Sequence, residues 1–192
     1  ADTSMRTRDQ LVVTGTLAGE RMHFIVNHWP SRLGGEKNSR PKREAAAALT
    51  KHLADSLIQA DPDSKVVIMG DLNDDPNNSS TSKVLEAKKK QNEVKPGGYF
   101  NTMWPIFAKG IGSLAYQGQW NLFVQIIISS NLLGKDRSTL KFIKAEVFNR
   151  DFLKQEEGKY KGYPKRTHAG GVYLNGYSDH FPTMIYLAKE VN

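Results

Sequence analysis

The sequence predicts a mixed α/β (α+β) sandwich, because strand patterns alternate with helical patterns along one chain of 192 residues. Three observations carry this prediction: an N-terminal pair of strands, an amphipathic helix after it, and a short, uniformly apolar strand after the helix. The hydrophobic content of 39% and the length suit a single globular domain with a sizeable core. We therefore predict one domain over residues 1–192.

The first half of the chain contains the clearest elements. "QLVVTGTLAG" and "RMHFIVNHW" predict two strands joined by a turn at "AGER". A helix follows, in which Pro41 suits the first turn and apolar residues from Ala45 to Ile58 recur at three-and-four spacing. It ends before "DPDS", and "KVVIMG" is then too uniformly apolar to have an exposed face.

The second half of the sequence predicts shorter helices and strands. "SSTSKVLEAKKK" favours a second helix with a serine or threonine cap, and the Gly- and Pro-rich residues 95–112 favour a long ordered loop. Three strands are predicted at 120–129, at 139–148 and in the closing "FPTMIYLAKEV".

Charge and composition narrow the class of partner. The net charge of +7 favours phosphate-bearing ligands or nucleic acid, although scattered lysines also serve solubility. Basic residues cluster in "RPKR" at 40–43 and in "KYKGYPKRTH" at 159–168, where tyrosines alternate with cations. No apolar run reaches the ~20 residues of a membrane span, no apolar segment of a signal peptide opens the chain, and there is no cysteine.

Polar pairs mark the ends of three predicted strands. They are Asn27 and His28, Asp71 and Asn73, and Asp179 and His180. Each pair has a structural explanation, since Asp and Asn are common turn residues and a histidine is often a satisfied core group. Together they supply imidazoles, carboxylates and an amide, which phosphoryl chemistry with a hard divalent cation needs. We assign only structural roles to His23, His52 and His168.

The motifs "NHWPSR", "GDLND", "LFVQIIIS" and "GYSDHFP" resemble, in order and spacing, those of the endonuclease/exonuclease/phosphatase superfamily, which has the DNase I-like fold. The resemblance covers nearly the whole chain. It implies a four-layer α/β sandwich and hydrolysis of phosphodiesters or phosphomonoesters with a divalent cation, usually Mg²⁺ and alternatively Mn²⁺ or Ca²⁺.

The resemblance also implies roles for individual residues. His28 would hydrogen-bond the scissile phosphate, Asp71 would position or deprotonate the attacking water, and Asn73 would hold that water or a phosphate oxygen. Asp179 would ligate the metal, and His180 would face the phosphate as an acid–base or electrostatic partner.

Three further residues are predicted to contact phosphate. They are Asn27, Arg32 and Arg166, which lie within or beside the motifs and the basic loop. The loop at 159–168 favours nucleic acid over a phospholipid head group or an inositol phosphate as the substrate.

Val124 departs from the family pattern, in which an aspartate at this position accepts a hydrogen bond from the histidine that aligns with His180. That carboxylate fixes the imidazole tautomer and stabilises its protonated form, and valine does neither. Either a neighbour such as Asp136 or Asp151 substitutes for it, or the site is impaired.

The N-terminal region also departs from the pattern. The family places an asparagine and a glutamate for the metal at two early strand ends, and residues 1–10 contain neither. We expect a domain truncated at its N-terminus, with an exposed sheet edge and weak binding of Mg²⁺. Two functions follow: a metal-dependent phosphodiesterase or nuclease, or a catalytically impaired relative that only binds phosphorylated ligands.

Overall fold

A computed structural model describes residues 7–190 of the chain. In chain order the elements are β1 (Leu11–Leu17), β2 (Glu20–His28), α1 (Glu36–Ala60), β3 (Lys65–Asp71), β4 (Tyr99–Asn101), α2 (Trp104–Phe107), β5 (Leu114–Tyr116), β6 (Gln119–Asn121), β7 (Val124–Ser129), β8 (Lys141–Val147), β9 (His168–Ala169), β10 (Val172–Tyr173) and β11 (Thr183–Ala188). Single helical turns lie at Ser80–Val84, Gln91–Glu93, Ser130–Leu132 and Asp151–Leu153. The mixed α/β class predicted from the sequence is confirmed.

A five-stranded sheet in the order β1-β2-β3-β7-β4 is the centre of the fold. β1 and β2 form the predicted hairpin, whose turn residues Ala18 and Gly19 both have positive φ (50° and 78°) as a tight antiparallel turn requires. β2 and β3 run parallel, so α1 must cross over between them. β1 lies at one edge of the sheet, and all seven of its residues are exposed.

Each face of the sheet carries its own core. On one face, alanines of α1 pack with Trp29, Ile68 and Ile127. On the other face, the antiparallel pair β8–β11 and the turn α2 pack against Val67, Ile126 and Ile128. The result is a helix–sheet–sheet sandwich, with the second sheet made of two strands in this part of the chain. None of the helices within residues 7–190 combines the length and apolar character that a bilayer crossing needs.

Helix α1 begins at Glu36, five residues before Pro41, so the prediction that Pro41 occupies the first turn is wrong. Gly35 directly precedes the helix and has a φ of 98°, a value that glycine adopts without strain. The chain can therefore turn from an extended conformation into the helix at this residue. Pro41 has no N–H, so the helix lacks one backbone hydrogen bond there. The ion pair between Arg40 and Glu36, at 2.8 Å, stabilises the same turns. The helix ends at Ala60, before "DPDS", as predicted.

Three predictions for the second half need correction. The predicted helix at 79–90 is the single turn Ser80–Val84, because Glu86 has a φ of 59° and leaves the helical path. The predicted loop at 95–112 contains β4 and α2. The predicted strand at 120–129 is two strands, β6 and β7. The chain breaks between them because the N–H of Leu122 donates to the Asp75 carboxylate at 2.7 Å and not to a neighbouring strand.

Candidate active site

Three strand ends meet at one edge of the central sheet. His28 ends β2 and pairs with Asp71, which ends the parallel strand β3. Asp71 in turn pairs with Val124, the first residue of the antiparallel strand β7. Directly paired residues project to the same face of a sheet, so the side chains of His28, Asp71 and Val124 form one row across three strands.

The carboxylate of Asp71 lies between two imidazoles. Its Oδ2 is 3.6 Å from His28 Nε2 and 3.7 Å from His180 Nε2, although residue 180 is more than a hundred positions further along the chain. Both separations exceed a direct hydrogen bond. The Asp71 side chain is 22% exposed and that of His28 is 51% exposed, so the row is open to a ligand.

The loop after β3 is fixed by its own polar groups. Asn73 has a φ of 51°, a conformation that Asn tolerates, and its N–H donates to Asp71 Oδ1 at 2.9 Å. Its side-chain amide donates to the carbonyl of Trp29, and its own carbonyl accepts from Arg32 Nε at 3.0 Å. The loop therefore holds the Asp71 carboxylate in one orientation.

A buried ion network lies beneath this loop. Asp74 is fully buried between Arg43 Nε at 2.7 Å and Arg32 at 3.1 Å, and Ser80 donates to its other oxygen. Burial raises the pKa of Asp75, which accepts a backbone hydrogen bond from Leu122, and that hydrogen bond lowers it in part. Arg43 belongs to the cluster "RPKR", so this cluster is partly a buried structural feature.

His180 is positioned by the segment that precedes β11. Its N–H donates to Ser178 Oγ at 3.1 Å, and its imidazole is largely buried. Its Nδ1 is buried with no hydrogen-bond partner within the described part of the chain.

Ser113 connects Val124 to Phe181, the residue after His180. Its Oγ accepts the N–H of Val124 at 3.2 Å, and its carbonyl accepts the N–H of Phe181 at 2.6 Å. Ser113 is completely buried, and no sequence pattern predicts its role, because that role depends on two backbone groups that are distant along the chain.

Neither carboxylate considered as a substitute for the family aspartate serves that role. Asp136 accepts the N–H of Ser138, and Asp151 is exposed and pairs with Lys154 at 2.9 Å. Neither accepts a hydrogen bond from His180.

In the structure, two of the three residues predicted to contact phosphate bind other groups of the protein. Asn27 is buried and turned away from His28, because successive strand residues face opposite sides; it donates to Ile25 and accepts from Trp29 and Thr50. Arg32 is committed to the carbonyl of Asn73, to Asp74 and Asn78, and to the ring of Phe123 at 4.4 Å.

Arg166 lies apart from this network, half-buried in the basic loop, where it lines a cleft.

The residues given structural roles from the sequence are separate from this edge of the sheet. His23 is buried between the hydroxyls of Thr14 and Ser64, His52 is exposed on α1, and His168 packs on Tyr173.

The candidate site offers few side chains that could ligate a divalent cation. Among residues 7–190, no group of three or more His, Cys, Asp or Glu side chains could hold a metal ion. Asp179, the predicted ligand, is exposed, and Asp71, the other carboxylate of the site, already faces two imidazoles. Mg²⁺ tolerates a site with one or two carboxylates when water and substrate phosphate complete its shell. These residues therefore fit a weakly held ion and do not form a complete metal site.

Comparison with solved structures gives the same fold at low identity. Zebrafish (D. rerio) TDP2 in complex with a single-strand DNA product matches with a TM-score of 0.54 and 15% identity, over 97% of this chain and 62% of that one. Staphylococcus aureus beta toxin with bound magnesium ions matches with a TM-score of 0.50 and 17% identity, over 93% and 57%. A mannosyl-6-phosphatase of Bacteroides thetaiotaomicron matches with a TM-score of 0.50 and 14% identity, over 89% and 52%.

The chain spans roughly half to two thirds of the length of the structures that it matches. A comparison with curated protein sequences finds no match. The model of the endonuclease/exonuclease/phosphatase family matches residues 1–189, which is nearly the whole chain. The chain therefore belongs to the endonuclease/exonuclease/phosphatase family.

Proposed function

We propose that the site around Asp71 hydrolyses phosphate esters, with a phosphodiester of nucleic acid as the substrate class. One observation carries this proposal: a single carboxylate stands between two imidazoles, with Asp71 Oδ2 at 3.6 Å from His28 and 3.7 Å from His180. A carboxylate in this place orients or deprotonates a water, and imidazoles on either side stabilise the charge that develops on the phosphoryl oxygens.

The residues divide this work by position. Asp71 is held by the N–H of Asn73, so its free oxygen Oδ2 is the one available to a water between the imidazoles. His28 is half exposed and contacts the phosphate from the solvent side, while the more buried His180 contacts it from the β11 side. Asn73 contributes by holding Asp71 and the loop.

Binding of a divalent cation belongs to the same proposal. Mg²⁺, or Mn²⁺ or Ca²⁺ in its place, would neutralise charge on the phosphoryl group. Asp179 would supply one carboxylate of this chain, and water and substrate oxygens would supply other ligands.

A binding role without turnover is the second candidate, and Val124 is the observation that favours it. Val124 occupies the row position beside Asp71, and His180 Nδ1 is left without an acceptor. A histidine without that acceptor still donates a hydrogen bond to a bound phosphate, but it exchanges protons less effectively.

Asp71→Asn separates the two candidates. We expect hydrolysis of bis-p-nitrophenyl phosphate with Mg²⁺ to fall by about 100-fold or more, because the amide keeps the shape of the carboxylate and loses its basicity. Asp63→Asn is the matched control, since Asp63 is exposed in the turn before β3.

Two results would contradict hydrolysis at this site. Turnover that survives Asp71→Asn would place the chemistry elsewhere. Binding of the ester by calorimetry with no turnover above background, in the parent protein and in Asp63→Asn alike, would establish the binding role instead.

A further inference from the structure

A cleft of about 870 Å³ lies between the β5–β6 hairpin and the basic loop. The hairpin contributes Ala115 to Gly118, and the loop contributes Tyr160, Tyr163 and Arg166. Lys159 adds a second cation, and none of the described lining residues is acidic. The volume is near the upper end of the range for small-molecule sites, and it is larger than one phosphate group requires.

An aromatic row joins this cleft to the active site. Tyr163 meets Trp120 edge to face at 5.6 Å, and Trp120 stacks on Phe181 at 6.0 Å with 17° between the ring planes. Phe181 follows His180 directly. Phe181 is buried and Trp120 is partly exposed, so this row packs the wall of the cleft against the segment that carries His180.

The basic loop is preformed, because it is fastened to the segment that leads to His180. Lys165 O accepts the N–H of Tyr177 at 2.7 Å, and the hydroxyl of Thr167 donates to the carbonyl of Tyr177 at 3.0 Å. A Cβ at Gly176 would lie 2.2 Å from the carbonyl oxygen of Lys165, so only glycine permits this approach. The cleft wall and the active-site histidine are thus parts of one connected structure.

We propose that the cleft binds a nucleotide of single-stranded nucleic acid whose neighbouring phosphodiester occupies the Asp71 site. This inference rests on the proposed function and names the part of the substrate that the second site holds. Tyr160 is 57% exposed and offers a ring on which a base can stack, and Lys159 and Arg166 neutralise the backbone.

The lining suits two other phosphate esters less well. A choline head group carries a positive charge and needs a cage of aromatic rings, whereas two cations line this cleft. A phosphorylated sugar presents hydroxyl donors, and the lining offers no carboxylate to accept from them. A base, which needs a stacking face and a nearby cation, matches the lining better than either.

Binding of a fluorescein-labelled single-stranded DNA of about eight thymidines, measured by anisotropy in EDTA, tests the cleft without requiring turnover. We expect Tyr160→Ala to weaken binding by about tenfold, the loss of one stacked base, with the salt dependence unchanged. Lys159→Ala and Arg166→Ala should each reduce the slope of log K against log salt by about 0.7, one phosphate contact.

Matched controls come from the same region of the surface. Lys161→Ala removes a charge from the loop outside the cleft lining, and Tyr173→Ala removes a tyrosine of similar exposure, 63%, that also lies outside it. We expect both variants to keep the affinity of the parent protein within about twofold.

Three results would overturn the cleft: no binding at low salt, an abasic oligonucleotide that binds as tightly as the thymidine one, or an effect of Lys161→Ala equal to that of Arg166→Ala. Competition by phosphocholine or mannose 6-phosphate as strong as that by thymidylate would overturn the nucleotide class. The proposed function fails separately, since hydrolysis of bis-p-nitrophenyl phosphate depends on Asp71 whether or not the cleft binds a base.

Discussion

Val124→Asp should increase the rate of phosphate-ester hydrolysis. In the structure, residue 124 is paired with Asp71 across two antiparallel strands, and Ser113 connects it to the residue after His180. His180 Nδ1 is buried without a partner among the described residues. An aspartate at position 124 would supply the acceptor that this nitrogen lacks.

The expected gain follows from the cost of that unpaired nitrogen. A buried polar group without a partner costs about 1–3 kcal/mol, which corresponds to about 5- to 150-fold in rate if the bond forms when His180 becomes charged. In a serine-protease triad the comparable carboxylate contributes about 10⁴-fold, which sets an upper limit. Repulsion between the new carboxylate and Asp71 acts in the opposite direction, because like charges directly opposite each other destabilise a strand pair.

Hydrolysis of bis-p-nitrophenyl phosphate with Mg²⁺, followed by release of nitrophenolate, measures the gain. Val124→Asn separates the acceptor from the charge, since its carbonyl oxygen accepts a hydrogen bond without a negative charge, and we expect a smaller gain than with aspartate. In a His180→Ala background, Val124→Asp should have no effect. An equal gain in that background, or no gain in a folded Val124→Asp protein, would refute the pairing of residues 124 and 180.

Three further predictions concern stability, pH and metal. Asp74→Asn should lower the free energy of unfolding in urea by about 3 kcal/mol, because it removes the nearer charge partner of the buried Arg43 and leaves only Glu36 at 3.6 Å, whereas Asp63→Asn should change it by less than about 0.5 kcal/mol. Burial lowers the pKa of His23 below its usual 6.5, so the unfolded chain binds more protons there. The stability that His23 contributes is therefore complete above about pH 6.5. It is lost as pH falls towards the lowered value, and His23→Gln should flatten this dependence. Calorimetric titration should show weak, non-stoichiometric Mg²⁺ binding to this chain, and tight stoichiometric binding would contradict the sparse donor set around Asp179.

Long periodic segments were predictable from the sequence because their burial pattern is local. "KVVIMG" and the β1–β2 hairpin appear where their apolar runs and turn residues place them. β4 was not predictable, since three residues form a strand only through pairing with β7. The apolar stripe of α1 located the helix, but its start depends on Gly35 and on the ion pair between Arg40 and Glu36.

The site was partly predictable for a similar reason. Parallel strands that end together bring His28 and Asp71 to one edge of the sheet, as their motifs imply. The assignment of Asn27 as a phosphate contact ignored the alternation of strand side chains, which turns it to the α1 face. Arg32 looked available in sequence, but its acidic partners Asp74 and Asp75 follow the "GDLN" motif by only a few residues.

The register of β7 decides which residue could satisfy His180. Position 125 holds a glutamine, but it faces away from the row, where it donates to the carbonyl of Asp74 and accepts from the amide of Asn101. These buried hydrogen bonds lock the register, since a slip by one residue would exchange the faces of the whole strand. Gln125 therefore cannot replace the missing acceptor by a local shift. Within the described chain, a side chain at position 124 is the direct way to provide one.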